Sequence, residues 1–459
     1  MNNAQTTITE QVSQAVAASD WEQIEASVKE RLKLIFLDAV GTALAASRYP
    51  FSPVALEALS SLGAGESCVI GMPQKLALRD AVVMNGILVH GLDYDDTYLP
   101  GSVHLSASCV PTLLGLGTQL KVSGKEIIMA GLWGLEISAR VAQAAKGGFV
   151  NAGFHATGIA GIFGSTVAAS RLMGLSAEAH TLALGVALSL TSGTLQPLQE
   201  GSWTKRLHPG WAASSGITAA AFARSGYLGP KQAFEGTFGL FNCFLGANRS
   251  TADLTCVMEG LGERWEFMRT SIKLFPACHQ LHAFMNAGIA LAQQASFTAD
   301  NVESVRALIS EAAIDLVCEP LQSKLRPQTS YSAQFSLPYA IACVLSRGAF
   351  GLKDIEATAY TDEAVLALAQ KVHYEIDPHA GFPKTRSGEI IVKMKDGRQW
   401  RQREDIFPDE PASAEAIMTK FKQNTQALVG ESRSLQIMEL ILQMEKAQSL
   451  TALVECLGA

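Results

Sequence analysis

The chain is poor in charge. Only 17% of its 459 residues are Asp, Glu, Lys or Arg, against 48% hydrophobic, a balance that excludes a disordered protein and describes a large buried core. It has no basic block: 36 Lys and Arg stand against 43 Asp and Glu, for a net charge of −7. Nucleic acid is therefore not expected as a partner. The mild acidity does not exclude an anionic substrate, because a few local lysines set the field inside a cleft. No Cys-x-x-Cys pair occurs among the eight cysteines, most of which sit in apolar runs such as Ala340–Leu345. They read as reduced thiols of a cytoplasmic protein, and neither a disulfide framework nor a zinc site is expected. Met1–Ser19 is polar and lacks an apolar signal core, so export is not expected. Two runs without formal charge, 147–170 and 181–199, approach the length of a membrane span. Gly, Ser and Thr dilute both and no basic anchors flank them, so they read as helices buried in protein, and no membrane is expected.

Cofactor motifs are missing as well. No Gly-x-Gly-x-x-Gly follows a strand, and there is no Walker loop, His-Glu-x-x-His or Gly-x-Ser-x-Gly. No cofactor is expected. Asp93, Asp95 and Asp96 form the one short-spaced group resembling metal ligands, and they lack the calcium-loop pattern. No metal is expected either. There is no internal repeat or low-complexity segment.

At this length two domains are the default. Residues 8 to about 265 read as helices, with Ile24, Val28, Leu32, Ile35 and Leu37 near the 3.6 period and candidates at 125–145, 167–175, 177–190 and 211–225. The pattern changes near residue 270. Val302, Val305, Ala307 and Ile309 suggest a strand, and Glu389–Met394 is a clearer one. Asp396-Gly397 turns it back into Gln399–Arg403. Helices at 336–346, 354–358 and 362–372 lie between, and helix returns from Ser413 onward. The expected fold is mostly α with an α+β part: an all-helical domain over 1–268 and 408–459, and a smaller α/β domain over 269–407.

Four polar clusters interrupt the apolar sequence. The richest follows the buried helix read over Ala81–Leu92: Asp93-Tyr94-Asp95-Asp96-Thr97, then His104 beyond a Pro-Gly turn. If that helix runs on, Asp93 and Thr97 share one face, and the turn brings His104 back over them. His155 begins an uncharged helix. Lys205, Arg206 and His208 precede the small-residue helix at 211–225. Lys273 stands in Lys273-Leu274-Phe275-Pro276, where helical sequence gives way to mixed. Acids, imidazoles and cations at helix ends suit proton transfer on a substrate with several carboxylates. Each cluster taken singly also reads as a capped helix end, a core histidine or a solvated turn.

In type, order and spacing the segments Gly91–Thr97, Gly153–Thr157, Thr204–Gly210 and Lys273–Pro276 resemble the MmgE/PrpD family, which covers 2-methylcitrate dehydratase, cis-aconitate decarboxylase and iminodisuccinate epimerase. The likeness extends through Gln334–Tyr339 to the strand around Ile391. It implies a helical domain with a smaller α/β lid, a homodimer, and cofactor-independent chemistry on a small di- or tricarboxylate. Carried over by motif, it implies catalytic roles for Asp93, His104, His155, Lys205 and Lys273. Thr97, Arg206 and His208 are expected to bind substrate. One departure stands out: the family often has His-Pro-Ser where this chain has His104-Leu105-Ser106, a loss of proline that loosens the turn. The implied chemistry makes or quenches a carbanion beside a carboxylate. Lys205 and Lys273 would stabilise the charge, His104 would move the proton, and Asp93 would orient the ring or act as base. Water elimination of the 2-methylcitrate dehydratase type is the leading expectation. Decarboxylation of an unsaturated tricarboxylate and epimerisation of a succinate derivative are the alternatives, and a non-enzymatic carboxylate-binding protein comes last.

Overall fold

A computed structural model describes residues 6–294, 297–382, 384–407 and 411–458. The chain divides into two compact units, one comprising Met1–Ile272 with Ala412–Ala459 and the other Lys273–Pro411. The expected domain return at residue 408 lies outside the described residues.

The first unit is built from long helices: α1 (Ile8–Ala18), α2 (Ala26–Ala46), α3 (Phe51–Ser60), α4 (Leu78–His90), α5 (Ser106–Leu120), α6 (Gly124–Ala144), α7 (Ala156–Leu172), α8 (Ala177–Leu190) and α9 (Leu207–Arg224). A two-residue antiparallel pair, β1 (Ser67–Cys68) with β2 (Lys75–Leu76), precedes α4. Capping boxes start α1 at Thr7/Glu10 and α6 at Ser123/Glu126, each satisfying two otherwise orphaned N–H groups. Helix α7 is buried on every side except at Arg171 and packs against α5, α6, α8 and α9. Most of the charge-free run 147–170 lies in it, which accounts for its apolar character on all faces. No helix among the described residues is long and apolar enough to cross a membrane.

Small residues set the crossing that carries the polar clusters. A Cβ on Gly86 of α4 would lie 2.3 Å from Gly210 Cα of α9, and one on Gly210 would lie 2.2 Å from the Val83 carbonyl oxygen. Only glycines allow this approach, and it brings the C-terminal end of α4 beside the N-terminal end of α9. Helix α9 starts at Leu207 and not at 211 as expected, because Pro209 falls in its first turn, where a missing N–H costs nothing. His155 begins helix α7 as expected, and that helix runs on to Leu172 through the start of the stretch expected as a separate helix at 167–175.

The second unit contains α10 (His282–Ala292), β3 (Val302–Ile309), α11 (Leu337–Arg347), α12 (Glu363–Ala369), β4 (Val372–Ile376), β5 (Arg386–Met394) and β6 (Gln399–Ile406). The sheet order is β4-β3-β5-β6, with β4 parallel to β3 and the other pairs antiparallel. The β5–β6 hairpin turns at Asp396-Gly397, where Gly397 has φ 87°. The expected helix at 362–372 ends at Ala369, and Val372 opens β4 instead. That strand is five residues long and mostly unburied, so it carries little apolar alternation. Helix α10 covers β5 and β6, and α11 packs on α10.

The chain then returns to the first unit as α13 (Ala414–Val429), α14 (Glu431–Leu442) and α15 (Thr451–Leu457). Helix α13 lies along α2, and Lys420 on it reaches Asp38 of α2 at 2.6 Å.

Candidate active site

Helix α4 does not run on through the acidic cluster. It ends at His90, and Asp93 takes a left-handed conformation at φ 50°, which costs a non-glycine residue about 1 kcal/mol. Asp93 and Thr97 consequently do not share a helical face. Thr97 instead forms a backbone bridge with Ser271 (N–H donating to O at 2.8 Å and accepting at 2.9 Å). The turn does bring His104 back: its Nε2 lies 4.0 Å from Asp93 Oδ1 and its Nδ1 lies 3.3 Å from Asp95 Oδ1. The latter contact is within ion-pair range but off the hydrogen-bond direction, since neither atom has a hydrogen-bond partner.

Each acid in the loop has its own task. Asp96 accepts from the backbone N–H groups of Leu105 and Ser106, both at 3.0 Å, and so caps α5. A proline at 105 could not donate, and this N–H fixes the turn that the loss of proline was expected to loosen. Asp95 bridges two imidazoles, with Oδ2 2.8 Å from His90 Nδ1 and Oδ1 facing His104. Burial alone would raise its carboxyl, but His90 and His104 hold it well below the ordinary carboxylate range. Asp93 Oδ1 receives Lys205 Nζ at 2.8 Å. Beneath them, Lys420 donates to the Tyr94 carbonyl at 2.7 Å and pairs with Asp38. Burial pushes Asp38 up to about 6 against the pull of Lys420.

The remaining imidazoles come from helix starts. His155 is the N-cap of α7, its ring Nδ1 3.1 Å from His208 Nδ1 in the first turn of α9. The His90 ring centroid lies 4.6 Å from that of His104 and 5.4 Å from that of His155. Burial, reinforced by the Lys205 charge, holds His208 near 4 and His155 well below its ordinary value. Burial outweighs Asp95 at His90, which is held near 4. All three rings are thus neutral at pH 7. Neutral His90 donates Nδ1–H to Asp95, leaving Nε2 a bare acceptor that is buried without a hydrogen-bond partner. In the His155–His208 pair one ring donates from Nδ1 and so keeps a bare Nε2. The other ring carries its proton on Nε2. His90 and Asp95 have fully buried side chains, whereas Asp93, His104 and Lys205 keep 8%, 11% and 15% exposure. The last three are the groups a ligand can meet.

Asp93, His104, His155, Lys205 and His208 therefore gather in the first unit. Arg206 is engaged structurally: its Nε donates to the Gly91 carbonyl at 2.7 Å and its guanidinium lies 4.7 Å above the Phe51 ring, bracing the end of α4. Lys273 belongs to the second unit, where it is 3% exposed, not an ordinary surface charge. The donor cluster best arranged for a metal is also not the Asp93/Asp95/Asp96 set. One ring nitrogen each from His90, His104 and His155 lies within 4.8 Å of the others, and so do donors of His90, Asp93, Asp95 and His104. Spacing along one element missed these sets because their members come from α4, the loop and the start of α7.

Models of two domains of one family match this chain: the MmgE/PrpD N-terminal domain over residues 10–252 and the MmgE/PrpD C-terminal domain over 275–446. The chain belongs to the MmgE/PrpD family. Curated relatives include the cis-aconitate decarboxylase of Aspergillus terreus, 25% identical across 100% of this chain and 97% of its own length. The cis-aconitate decarboxylase of Homo sapiens is 26% identical, covering 98% of this chain and 94% of its own, and that of Mus musculus 27%, covering 85% and 81%. The polar loop after α4 and the His155, Lys205 and His208 segments fall within the matched N-terminal domain of the MmgE/PrpD family. Residues that sequence reasoning passed over are His90, hidden in the apolar run Ile87–Val89, Asp95 as the bridge between rings, and the Asp38–Lys420 pair. His90 alone left a signal, as the polar residue that ends the apolar run Ile87–Val89.

Proposed function

We propose that this chain is a lyase acting on a small polycarboxylate through a carboxylate-stabilised carbanion, with decarboxylation of a cis-aconitate-like tricarboxylate as the reaction. The observation that carries the reading is the partly accessible trio Lys205, Asp93 and His104, backed by the fully buried Asp95–His90 pair. In such a decarboxylation the bond to the departing carboxylate breaks and its electron pair forms a new double bond. The former double-bond electrons move to a carbon beside a second carboxylate, which takes up a proton. Lys205 supplies the cation for the developing charge, and His104 delivers the proton. Asp93 holds Lys205 in place, and Asp95 orients the His104 ring. Thr97, Arg206, His208 and Lys273 would serve substrate binding directly or through the elements they brace. The names of the relatives support decarboxylation over the dehydration first expected from the family resemblance.

Dehydration stays as the second reading because of one observation. The neutral His155–His208 pair, joined through its Nδ1 atoms, leaves a bare Nε2 on one ring and an Nε2–H on the other, the acceptor and donor types that water loss requires. A panel of cis-aconitate, 2-methylcitrate, citrate and aminosuccinate enantiomers in deuterated water separates these outcomes. CO2 release supports the proposal, water loss replaces it with the dehydratase, and deuterium wash-in with racemisation replaces it with an epimerase. The free cysteines favour a cytoplasmic enzyme. The exposed Trp203, Leu207 and Trp211 at the start of α9 favour self-association of the kind the family resemblance implies, a homodimer.

A further inference from the structure

Three imidazoles of the first unit converge although they come from separate elements. His90 ends α4, His104 lies in the loop just before α5, and His155 caps the start of α7. One ring nitrogen of each lies within 4.8 Å of the others. Nitrogens bound to one tetrahedral ion at about 2.0–2.1 Å stand about 3.3–3.4 Å apart, and the broad χ2 well of histidine leaves room to close the difference. The second observation is what stands behind the rings. His90 Nδ1 is 2.8 Å from Asp95 Oδ2, His104 Nδ1 faces Asp95 Oδ1 at 3.3 Å, and His155 Nδ1 is 3.1 Å from His208 Nδ1. A polar group behind one nitrogen fixes the ring and its tautomer, the arrangement that supports a metal-bound histidine. With Nδ1 given to Asp95, His90 presents Nε2 as a lone pair. That side chain is fully buried, and the atom has no hydrogen-bond partner among the described residues. A buried acceptor left so is costly to keep, and the proton transfer assigned to His104 makes no use of it. Lys205 opposes a cation here, but it is paired with Asp93 at 2.8 Å, and Asp95 adds a further carboxylate.

We propose that His90, His104 and His155 form a binding site for one divalent transition-metal ion of the imidazole-preferring class, typified by Zn2+, and that this ion inhibits the enzyme. Three imidazole nitrogens select such a cation over Mg2+ and Ca2+, which take oxygen ligands. The fourth position stays open for water. Occupancy takes up the His104 lone pair that would otherwise carry the proton, so metal binding and proton transfer exclude each other. The ion is thus an inhibitor and not a cofactor, and the metal-free protein is the active form. The binding rests on the imidazole geometry alone, and the inhibition rests in addition on the lyase reading above.

The test titrates untagged, EDTA-stripped full-length protein with Zn2+ by calorimetry and with Co2+ by visible spectroscopy. His90→Gln and His155→Gln are titrated alongside, with circular dichroism and thermal unfolding of each. The expected results are one ion per wild-type chain, intense cobalt d–d bands of a four- or five-coordinate site without thiolate-to-cobalt charge transfer, and no binding of Mg2+ at the same concentration. Zn2+ binding should weaken by at least about 10-fold in each folded variant. Zn2+ should also abolish turnover of whichever substrate responds, over the concentration range in which it binds, and EDTA should restore it. Unchanged affinity in either folded variant would overturn the site, as would charge-transfer bands that put cobalt on a cysteine. Should both variants fail to fold, the wild-type cobalt spectrum decides, and weak octahedral bands would overturn the site. Binding that leaves turnover unchanged would overturn the inhibition. Binding with the expected spectrum in a protein inert to every polycarboxylate would uphold the site and refute the lyase reading instead.

Discussion

At the residue scale the site separates groups that touch ligand from groups that hold them. His104 and Lys205 keep a small accessible fraction, and Asp95, Asp96 and Lys420 are the fully buried fixtures. His104→Ala should lower kcat by about 10²–10⁴-fold with little change in KM, because it removes a positioned proton donor. Lys205→Ala should fall mainly in kcat/KM, by about 10²-fold, since it removes both anchoring and charge stabilisation. Steady-state kinetics checks both, and near wild-type kcat in His104→Ala would transfer the proton role to His155 or Asp93. The sequence disclosed the chemistry of these residues, because carboxylates, imidazoles and lysines clustered at helix ends are rare in a chain so poor in charge. It hid their partners. His90 sits inside a run otherwise indistinguishable from core. Lys420 meets Tyr94 across 326 positions of sequence, a separation to which no local pattern responds.

At the element scale the close crossing of α4 and α9 places the site. Gly86→Ala would set a Cβ 2.3 Å from Gly210 Cα, and should destabilise the fold by about 1–3 kcal/mol while also lowering activity, read by chemical denaturation and turnover together. Turn and capping signals made α6 and the β5–β6 hairpin recognisable. Pro209 obscured the first turn of α9, and the short exposed β4 had no periodicity to show. The buried imidazoles also set an acid limit. His90 in α4 and His180 in α8 are held near 4, chiefly by burial, from an ordinary value of 6.5. The unfolded chain therefore binds more protons between those values, and stability falls as pH drops from 6.5 towards 4, by about 1.4 kcal/mol per pH unit for each such group. Asp38, raised to about 6, and Asp96 and Glu136, also raised by burial, work in the opposite direction, against the four histidines His90, His155, His180 and His208 that burial lowers. Melting temperature should fall steadily between pH 6.5 and 4.5, and a flat or rising profile would contradict neutral burial of these histidines.

At the scale of the whole molecule, the mostly helical fold with a smaller α/β part was legible in the change from helical periodicity to alternating strands, because the two use different hydrophobic periods. What the pattern could not specify was how many carboxylates of a ligand each segment serves, or which reaction follows. The rings of His90, His104 and His155 have ring nitrogens close enough to gather round a cation, so metal dependence is a direct question. The proposed chemistry uses only Lys205, His104 and their partners, and protein exhaustively treated with EDTA should keep full turnover. Activity lost and then restored by a divalent ion would reassign His90, His104 and His155 from proton handling to ligation. The most direct test is incubation of the purified protein with cis-aconitate in deuterated water, following CO2 and the isotope content of the product. The proposed carbanion at the Lys205–His104 site predicts stoichiometric CO2 release with one carbon-bound deuterium per product molecule. CO2 release without carbon-bound deuterium, or no CO2 while 2-methylcitrate loses water, would contradict it.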